Sequence, residues 1–392
     1  MKAFIFLLFA ICSSLILVSG CSDDPTDIGL GILPPQDTVR TETREFFATS
    51  DTTFRERING ASGRLLVGKY QDISTPQDIE ARTLLEFDGV PIFTPGTIID
   101  SAFITLTIDY RFEDSTGSFG LIAYKRAPSW SADPKVFNWD SVSASLTEPV
   151  GTFLTTTITP GDTTIRFALD TAVIREWSLT TGGLGSIVLV PTVTTGLVLG
   201  FRDVIPILSA DTRPLLTISY RDSIDTTKTF SLRDARAMFV ADASPPPQNG
   251  DRMTLQSGVV FRSRIRFDSL TIPPKASITK AILQVTIDEA HSFTNSFTRD
   301  SILVYLLKGG TYPFDSISLG TLLSPKNAAP RKIYQADVKN IVQQWVGKQP
   351  NYGIALRAFN ELTSVDRFEV NGILGVPVEF QPKLTVTYTL FP

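Results

Sequence analysis

Along most of the chain, apolar and polar residues alternate with a period of two. Ile104, Leu106 and Ile108 alternate with Phe103, Thr105 and Thr107, and Leu283, Val285 and Ile287 alternate with Ile282, Gln284 and Thr286. That spacing places one face of an extended strand against a core. Other stretches follow a helical period. Val338, Ile341, Val342 and Trp345 fall at i, i+3, i+4 and i+7, along one face of a helix, and Val173 to Trp177 carries a shorter version. Asp337 and Asp170 stand where a carboxylate caps the first turn of each. Gly347 and Gly353, and likewise Gly182, Gly183 and Gly185, break the chain before the next apolar run. The pattern predicts an all-β fold, built as antiparallel jelly-roll-type β-sandwiches with one short helix plugging an end of each.

The pattern also repeats. Leu84-Leu85-Glu86-Phe87-Asp88 recurs as Arg264-Ile265-Arg266-Phe267-Asp268, and the strand from Ile98 to Asp109 matches Ser277 to Asp288. Val173-Ile174-Arg175-Glu176-Trp177 matches Ile341-Val342-Gln343-Gln344-Trp345, and Arg213-Pro214-Leu215 to Tyr220 matches Gln381-Pro382-Lys383 to Tyr388. These blocks occur in the same order in both halves, as in a duplicated domain. They predict tandem copies at 39–221 and 230–392, joined by a polar connector at 222–229. The opening strands align Arg44-Glu45-Phe46-Phe47-Ala48 with Arg236 to Ala241, setting Phe47 against Phe239.

Composition supports β-structure. Of 392 residues, 26 are phenylalanine and 3 are methionine, and aromatic and β-branched side chains suit a pleated surface. The length allows two domains. A net charge of −4 gives no electrostatic support for a nucleic-acid partner. A single histidine, His291, removes most triads and most zinc sites, and no acid/base motif of a glycosidase stands out. No cofactor is expected.

The first residues are of another kind. Lys2 precedes an apolar run from Ala3 to Val18, too short for a spanning helix. Val18-Ser19-Gly20-Cys21 resembles the lipobox of bacterial lipoproteins, which implies cleavage of a signal peptide at 1–20 and lipidation of Cys21. Cys12 would leave with the signal, so no internal disulfide is possible in the mature chain. Ser22-Asp23-Asp24 resembles the serine-acidic export signal of surface lipoproteins in Bacteroidetes-type bacteria. An acidic, Pro/Gly-containing tether at 21–38 follows. Together these imply an outer-membrane lipoprotein on the cell surface, held to membrane lipid through acylated Cys21.

The strand from Arg82 to Asp88, the Ser101-Ala102 strand, the Trp177 and Trp345 helices, and the closing Arg213-Pro214 strand resemble DNRLRE-type domains. The resemblance covers both copies. It implies an exported β-sandwich module, of which some are carbohydrate-binding modules for acidic polysaccharides. The string that names the family is absent, and only the first copy has its middle tryptophan region, Trp130 through Trp139.

Trp130 and Trp139 lie in a polar loop, 128–141, with Lys125, Arg126 and Lys135 nearby. Aromatic faces stack on sugar rings and cations hold anionic groups, so these residues are the candidate carbohydrate site. The alternative is that both rings fold back over a sandwich edge. Tyr312-Pro313-Phe314 is the corresponding aromatic feature of the second copy. Trp177 and Trp345 read as core residues. Asp88 and Asp268 suit turn capping better than calcium binding. Pro245-Pro246-Pro247 reads as a rigid spacer. The functional expectation is a non-catalytic surface module that binds polysaccharide or another extracellular polymer. The alternative is a structural or adhesive surface protein without a sugar ligand, with an enzyme acting on glycans least favoured.

Overall fold

The computed structural model describes residues 39–56, 63–71, 78–112, 116–126, 138–203, 211–222, 226–245, 251–294, 300–328, 331–347 and 349–391. Cys21 and the rest of the expected signal peptide and tether at 1–38, Trp130, Lys135 and Pro246-Pro247 lie outside them.

The described chain opens with β1 (Arg40–Phe47) and β2 (Ser50–Arg55). There follow β3 (Arg64–Gln71), β4 (Asp78–Phe87), β5 (Ile98–Arg111), β6 (Gly117–Lys125), helix α1 (Trp139–Ala144), β7 (Pro149–Ile158), β8 (Thr164–Leu169), helix α2 (Thr171–Ser178), β9 (Gly185–Pro191), β10 (Val198–Arg202) and β11 (Leu215–Arg221). Next come β12 (Thr227–Arg233) and β13 (Arg236–Ala243). The second half holds β14 (Arg252–Gln256), β15 (Phe261–Arg266), β16 (Ser277–Thr286), β17 (Ile302–Leu307), β18 (Ser316–Ala328), β19 (Arg331–Asp337), helix α3 (Lys339–Val346), β20 (Ile354–Ala358), β21 (Arg367–Asn371) and β22 (Lys383–Leu390).

The strands form two antiparallel sheets of eleven. The first runs β10-β3-β4-β9-β6-β7-β8-β5-β11-β12, with β13 on β4, and curls until β10 also meets β5. The second runs β21-β14-β15-β20-β17-β18-β19-β16-β22-β1, with β2 on β15. Position for position the orders agree. The duplication seen in the sequence is a duplication of strand topology.

Each sheet wraps its own core. Alternation along β5 buries Ala102, Ile104, Leu106 and Ile108. These meet Leu85, Leu121 and Ile187 from the other side of the curl. In the second unit Leu283 and Val285 meet Ile265, Val304 and Leu356. α2 and α3 plug equivalent positions and bury Trp177 and Trp345. The Asp170 carboxylate caps α2 through Ala172 N–H at 2.8 Å, and Asp337 accepts from Lys339 N–H at 2.9 Å. Gly185 lets the Trp177 ring lie on the strand: a Cβ there would sit 2.0 Å from the ring carbon Cδ2.

The sheets do not follow the expected boundaries at 39–221 and 230–392. β1 and β2 precede the first unit yet belong to the second, where β1 pairs with β22 and β2 with β15. β12 and β13 precede the second unit yet complete the first, on β11 and β4. The connector expected at 222–229 therefore runs into β12. The corners within the pairs correspond: Asp234 N–H donates to Pro214 and Ala235 N–H to Glu86, while Ala48 N–H donates to Pro382 and Thr49 N–H to Arg266. Phe46, opposite Leu384, thus corresponds to Leu232, opposite Leu216. The expected match of Phe47 with Phe239 is out of place, because the core contact fixes the register rather than the similarity of letters.

Between the units, Leu66, Tyr110, Phe112, Val198 and Phe239 of the first pack with Val259, Phe261 and Val365 of the second. The Tyr110 hydroxyl donates to Asp366 Oδ1 at 3.1 Å and accepts from Val365 N–H at 3.2 Å. Burial, with the charge of Asp366, pushes its pKa well above the ordinary value.

Candidate functional site

Equivalent outward faces of the two units are finished differently. In the first, Leu84 of β4, Val188 of β9 and Val240 of β13 would face solvent, but α1 lies over them. α1 replaces part of the polar loop expected at 128–141. Asn138 Oδ1 accepts from Ser141 N–H at 2.9 Å, and Ser141 Oγ accepts from Asn138 N–H at 3.0 Å, a reciprocal cap that starts this short helix. Val142 is then buried against the face, with Trp139 and Leu146 beside it. This unit therefore has a second helix where one was expected.

Trp139 is half-buried, and Arg82 Cζ lies 4.1 Å from its ring centroid. Arg82 is itself fixed by Glu80 Oε1 at 2.9 Å and Ser143 Oγ at 2.8 Å. The ring is a cover, held by a cation–π contact and apolar packing. The expected cations are matched internally as well. Lys125 Nζ reaches Glu176 at 2.5 Å and Glu148 at 3.3 Å, and the Glu176 hydrogen bond holds its pKa above the ordinary lysine value. Arg126 is half-buried, which lowers its pKa, while the charge of Glu86 acts the other way. Glu86 in turn pairs with Arg236 at 2.5 Å. Lys125, Arg126 and Trp139 are thus occupied within the first unit.

Among the described residues, the second unit has no counterpart of α1. Its outward face carries Arg262 and Arg264 of β15, Arg357 of β20, Tyr305 of β17 and Phe54 of β2, with Phe54 directly across from Arg262. Tyr312-Pro313-Phe314 bends over this face. Phe54 meets Phe314 edge-on at 4.9 Å and Tyr312 at 6.0 Å. Arg264 lies 5.0 Å from the Phe314 centroid, and Arg357 lies 4.6 Å from that of Tyr305. Tyr312 keeps 46% of its surface exposed while its hydroxyl donates to the Arg55 carbonyl at 2.9 Å.

Beneath the rings, Phe54, Glu56, Arg262, Tyr305, Ser316 and Arg357 line a cleft with a free volume of about 10 Å³, room for one water. Its floor is a buried charge network. Arg262 donates to both oxygens of Glu361 at 2.8 Å, with Glu56 at 3.5 Å, and Arg357 reaches Glu361 at 3.3 Å. Burial pulls the Arg262 pKa down, but the Glu361 hydrogen bonds and charge outweigh it and hold it above the ordinary value. Arg264 donates to the Tyr352 carbonyl at 2.7 and 3.0 Å. The chemistry offered is an exposed aromatic surface over positioned guanidinium groups and hydroxyls.

The other candidates are accounted for. Trp177 and Trp345 are core residues. Asp268 ties a corner, receiving Thr49 Oγ1–H at 3.0 Å and Arg266 at 2.6 Å, and Asp88 is exposed. His291 Nδ1 sits 2.8 Å from Asp288 Oδ2 rather than in open solvent. Among the described residues, no group of three or more His, Cys, Asp or Glu side chains is placed to hold a metal ion. Phe54 escaped the sequence reading because it reaches this face from the opposite end of the chain. The alternation of Arg262, Arg264 and Arg266 was the available signal.

No family model and no curated protein matches the chain. Among solved structures, one named BspA_C_mut is 7% identical, covering 86% of this chain and 92% of that one, with a TM-score of 0.15. The C-terminal domain of the Streptococcus pyogenes antigen I/II-family protein AspA is 10% identical, covering 85% and 92%, also at 0.15. The infectious bursal disease virus Gx strain structure is 12% identical, covering 92% and 80%, at 0.13. Likenesses at this level carry neither a fold family nor a function to this chain.

Proposed function

We propose that this chain is an exported lipoprotein, lipidated at Cys21, that displays its two β-units at the cell surface and binds an extracellular polymer, most simply a polysaccharide. The observation that carries the binding reading is the open outward face of the second unit. There Tyr312, half-exposed, stands with Phe54 and Phe314 above Arg262, Arg264 and Arg357. An exposed ring is what sugar stacking requires, and the guanidinium groups beneath it, held by Glu361, Glu56 and the Tyr352 carbonyl, brace that aromatic surface. The DNRLRE-type resemblance of the sequence points the same way. The lipobox-like Val18 to Cys21 supports the anchor, and among the described residues no helix is long and apolar enough to cross a membrane. The reading assigns no catalytic residue and no cofactor.

A second reading, a structural or adhesive surface protein without a sugar ligand, is favoured by one observation: the cleft holds about one water. The test is a glycan array on the soluble 39–392 chain beside its Tyr312→Ala variant. Binding that the variant loses supports the proposal, and silence across neutral and acidic polysaccharides supports the scaffold. Replacing Cys21 with Ser is expected to release the protein from membranes, and continued tight association would refute the anchor.

A further inference from the structure

The open face of the second unit is rich in cations, yet among the described residues each is engaged within the protein. Arg262 gives its Nε and Nη2 to the two oxygens of Glu361, at 2.8 Å each, and lies 3.5 Å from Glu56. Arg357 reaches Glu361 at 3.3 Å and lies against the Tyr305 ring. Arg264 donates to the carbonyls of Tyr352 and Gly310 and lies against Phe314. At the edges Arg266 pairs with Asp268 at 2.6 Å, and Arg55 with Asp242 at 2.7 Å. Lys308 and Asp315 are exposed and opposite in charge, and the Lys308 N–H joins them across the hairpin by donating to the Asp315 carbonyl at 2.8 Å.

What the face presents to a ligand is ring surface and uncharged hydroxyls. Tyr312 is half-exposed and its hydroxyl already donates to the Arg55 carbonyl, so it offers the ring itself. Phe54 and Phe314 are half-buried beside it. Ser316 lines the cleft, and Ser318 stands across from Tyr305. The cleft admits a water but neither a sugar ring nor a carboxylate, so a ligand must lie on the rings rather than enter beneath them. The face of an aromatic ring is the negative part of its quadrupole. It attracts the polarised C–H groups of a pyranose face and repels a carboxylate or sulfate. An acidic sugar could reach Arg262 only by taking it from Glu361, and that 2% exposed carboxylate would lose its bidentate partner.

Resting on the binding reading above, we propose that this face selects uncharged polysaccharide. Its ligand is a polymer whose rings present flat faces of axial C–H groups, as β-linked, equatorially substituted hexopyranoses do. Such a polymer stacks on Tyr312 and hydrogen-bonds to the hydroxyls around it, and an acidic polymer gains nothing from the guanidinium groups beneath. This ligand differs from the acidic polysaccharides that the DNRLRE-type resemblance implies. The arginines of β15 and β20 hold the rings in place and do not read charge.

The experiment measures binding of the full chain, held in mild detergent, to immobilised hydroxyethyl cellulose, xyloglucan, polygalacturonate and alginate, with Tyr312→Ala in parallel. Each is measured at about 0.01 M and about 1 M salt, between which the screening length falls from about 30 Å to about 3 Å. Ion pairing with a ligand is lost over that range and stacking is not. The expected result is binding to a neutral polymer, changed less than about twofold by salt and weakened about tenfold or more in Tyr312→Ala. Acidic binding that falls with salt and disappears in Tyr312→Ala would overturn the proposal while leaving this face a sugar site. Acidic binding as strong as neutral binding overturns it as well. Silence on all four polymers overturns both the proposal and the binding reading. The comparison between polymers needs only the native chain, so it decides the matter even where the variant does not fold.

Discussion

Replacing Phe46 with alanine tests whether the strand pair at the start of the chain belongs to the far unit. Phe46 is 7% exposed, lies across from Leu384, and packs in the core of the second unit. Truncating a buried phenylalanine removes its transfer energy and leaves a cavity, together about 3–5 kcal/mol. For a unit of this size each kcal/mol moves the melting midpoint by roughly 2–4 °C, so the second unit should melt roughly 6–20 °C earlier. Its partner substitution, Leu232→Ala, falls at the corresponding position of β12 against Leu216 and should weaken the first unit instead.

Calorimetry gives the size of each loss, and hydrogen exchange gives its place. Phe46→Ala should deprotect 252–391 and leave 64–221 largely as it was. Deprotection concentrated in 64–221 would mean that β1 and β2 serve the unit they precede, and the exchange of strand pairs described above would be wrong. The assay separates these outcomes because the two units have separate cores and local opening follows such divisions.

Other substitutions probe single contacts. Tyr110→Phe strips the hydroxyl shared by Asp366 and Val365 between the units; denaturant unfolding should show a loss of about 1–3 kcal/mol. Gly185→Ala drives a methyl into the Trp177 ring, and the same measurement should show a loss of about 1–3 kcal/mol or a failure to accumulate. Trp139→Ala uncovers Leu84 and Val188 and removes the partner of Arg82; it should cost about 2 kcal/mol and, on the proposed function, leave any binding seen on the glycan array intact. A binding loss from Trp139→Ala with stability unchanged would return the ligand site to the first unit.

Much of the fold could be read from the sequence because its determinants are local. The alternation from Phe103 to Ile108 reappears as a strand with Ile104, Leu106 and Ile108 buried. The four repeated blocks became β4 and β15, β5 and β16, α2 and α3, β11 and β22, elements that supply most of each core. What escaped is non-local. The strand containing Phe46 has the same pattern whichever unit it completes, and only the corner contacts to Pro382 and Arg266 decide the matter. α1 escaped for another reason. Six residues carry too little apolar period to announce a helix, and it stands because Asn138 and Ser141 cap it and Val142 is buried beneath it. The site shares both difficulties, since Phe54 and Tyr312 meet only through the exchanged pair.

That exchange bears directly on where binding should be sought. Arg82 and Arg262 occupy equivalent strand positions, as do Val240 and Phe54. In the first unit the neighbours are Leu84 and Val188, an apolar surface that is costly to leave wet, and α1 with Trp139 covers it. In the second unit the residue matching Leu84 is Arg264, the charges are matched by Glu361, Glu56 and backbone carbonyls, and the face tolerates water. Tyr312, Phe314 and Phe54 cover it only in part, so aromatic surface stays exposed without a hydrophobic penalty large enough to close it. The tryptophans that first suggest a ligand belong to the unit that has sealed this face. The copy without them keeps it open, with one of its rings delivered by the first described strand pair.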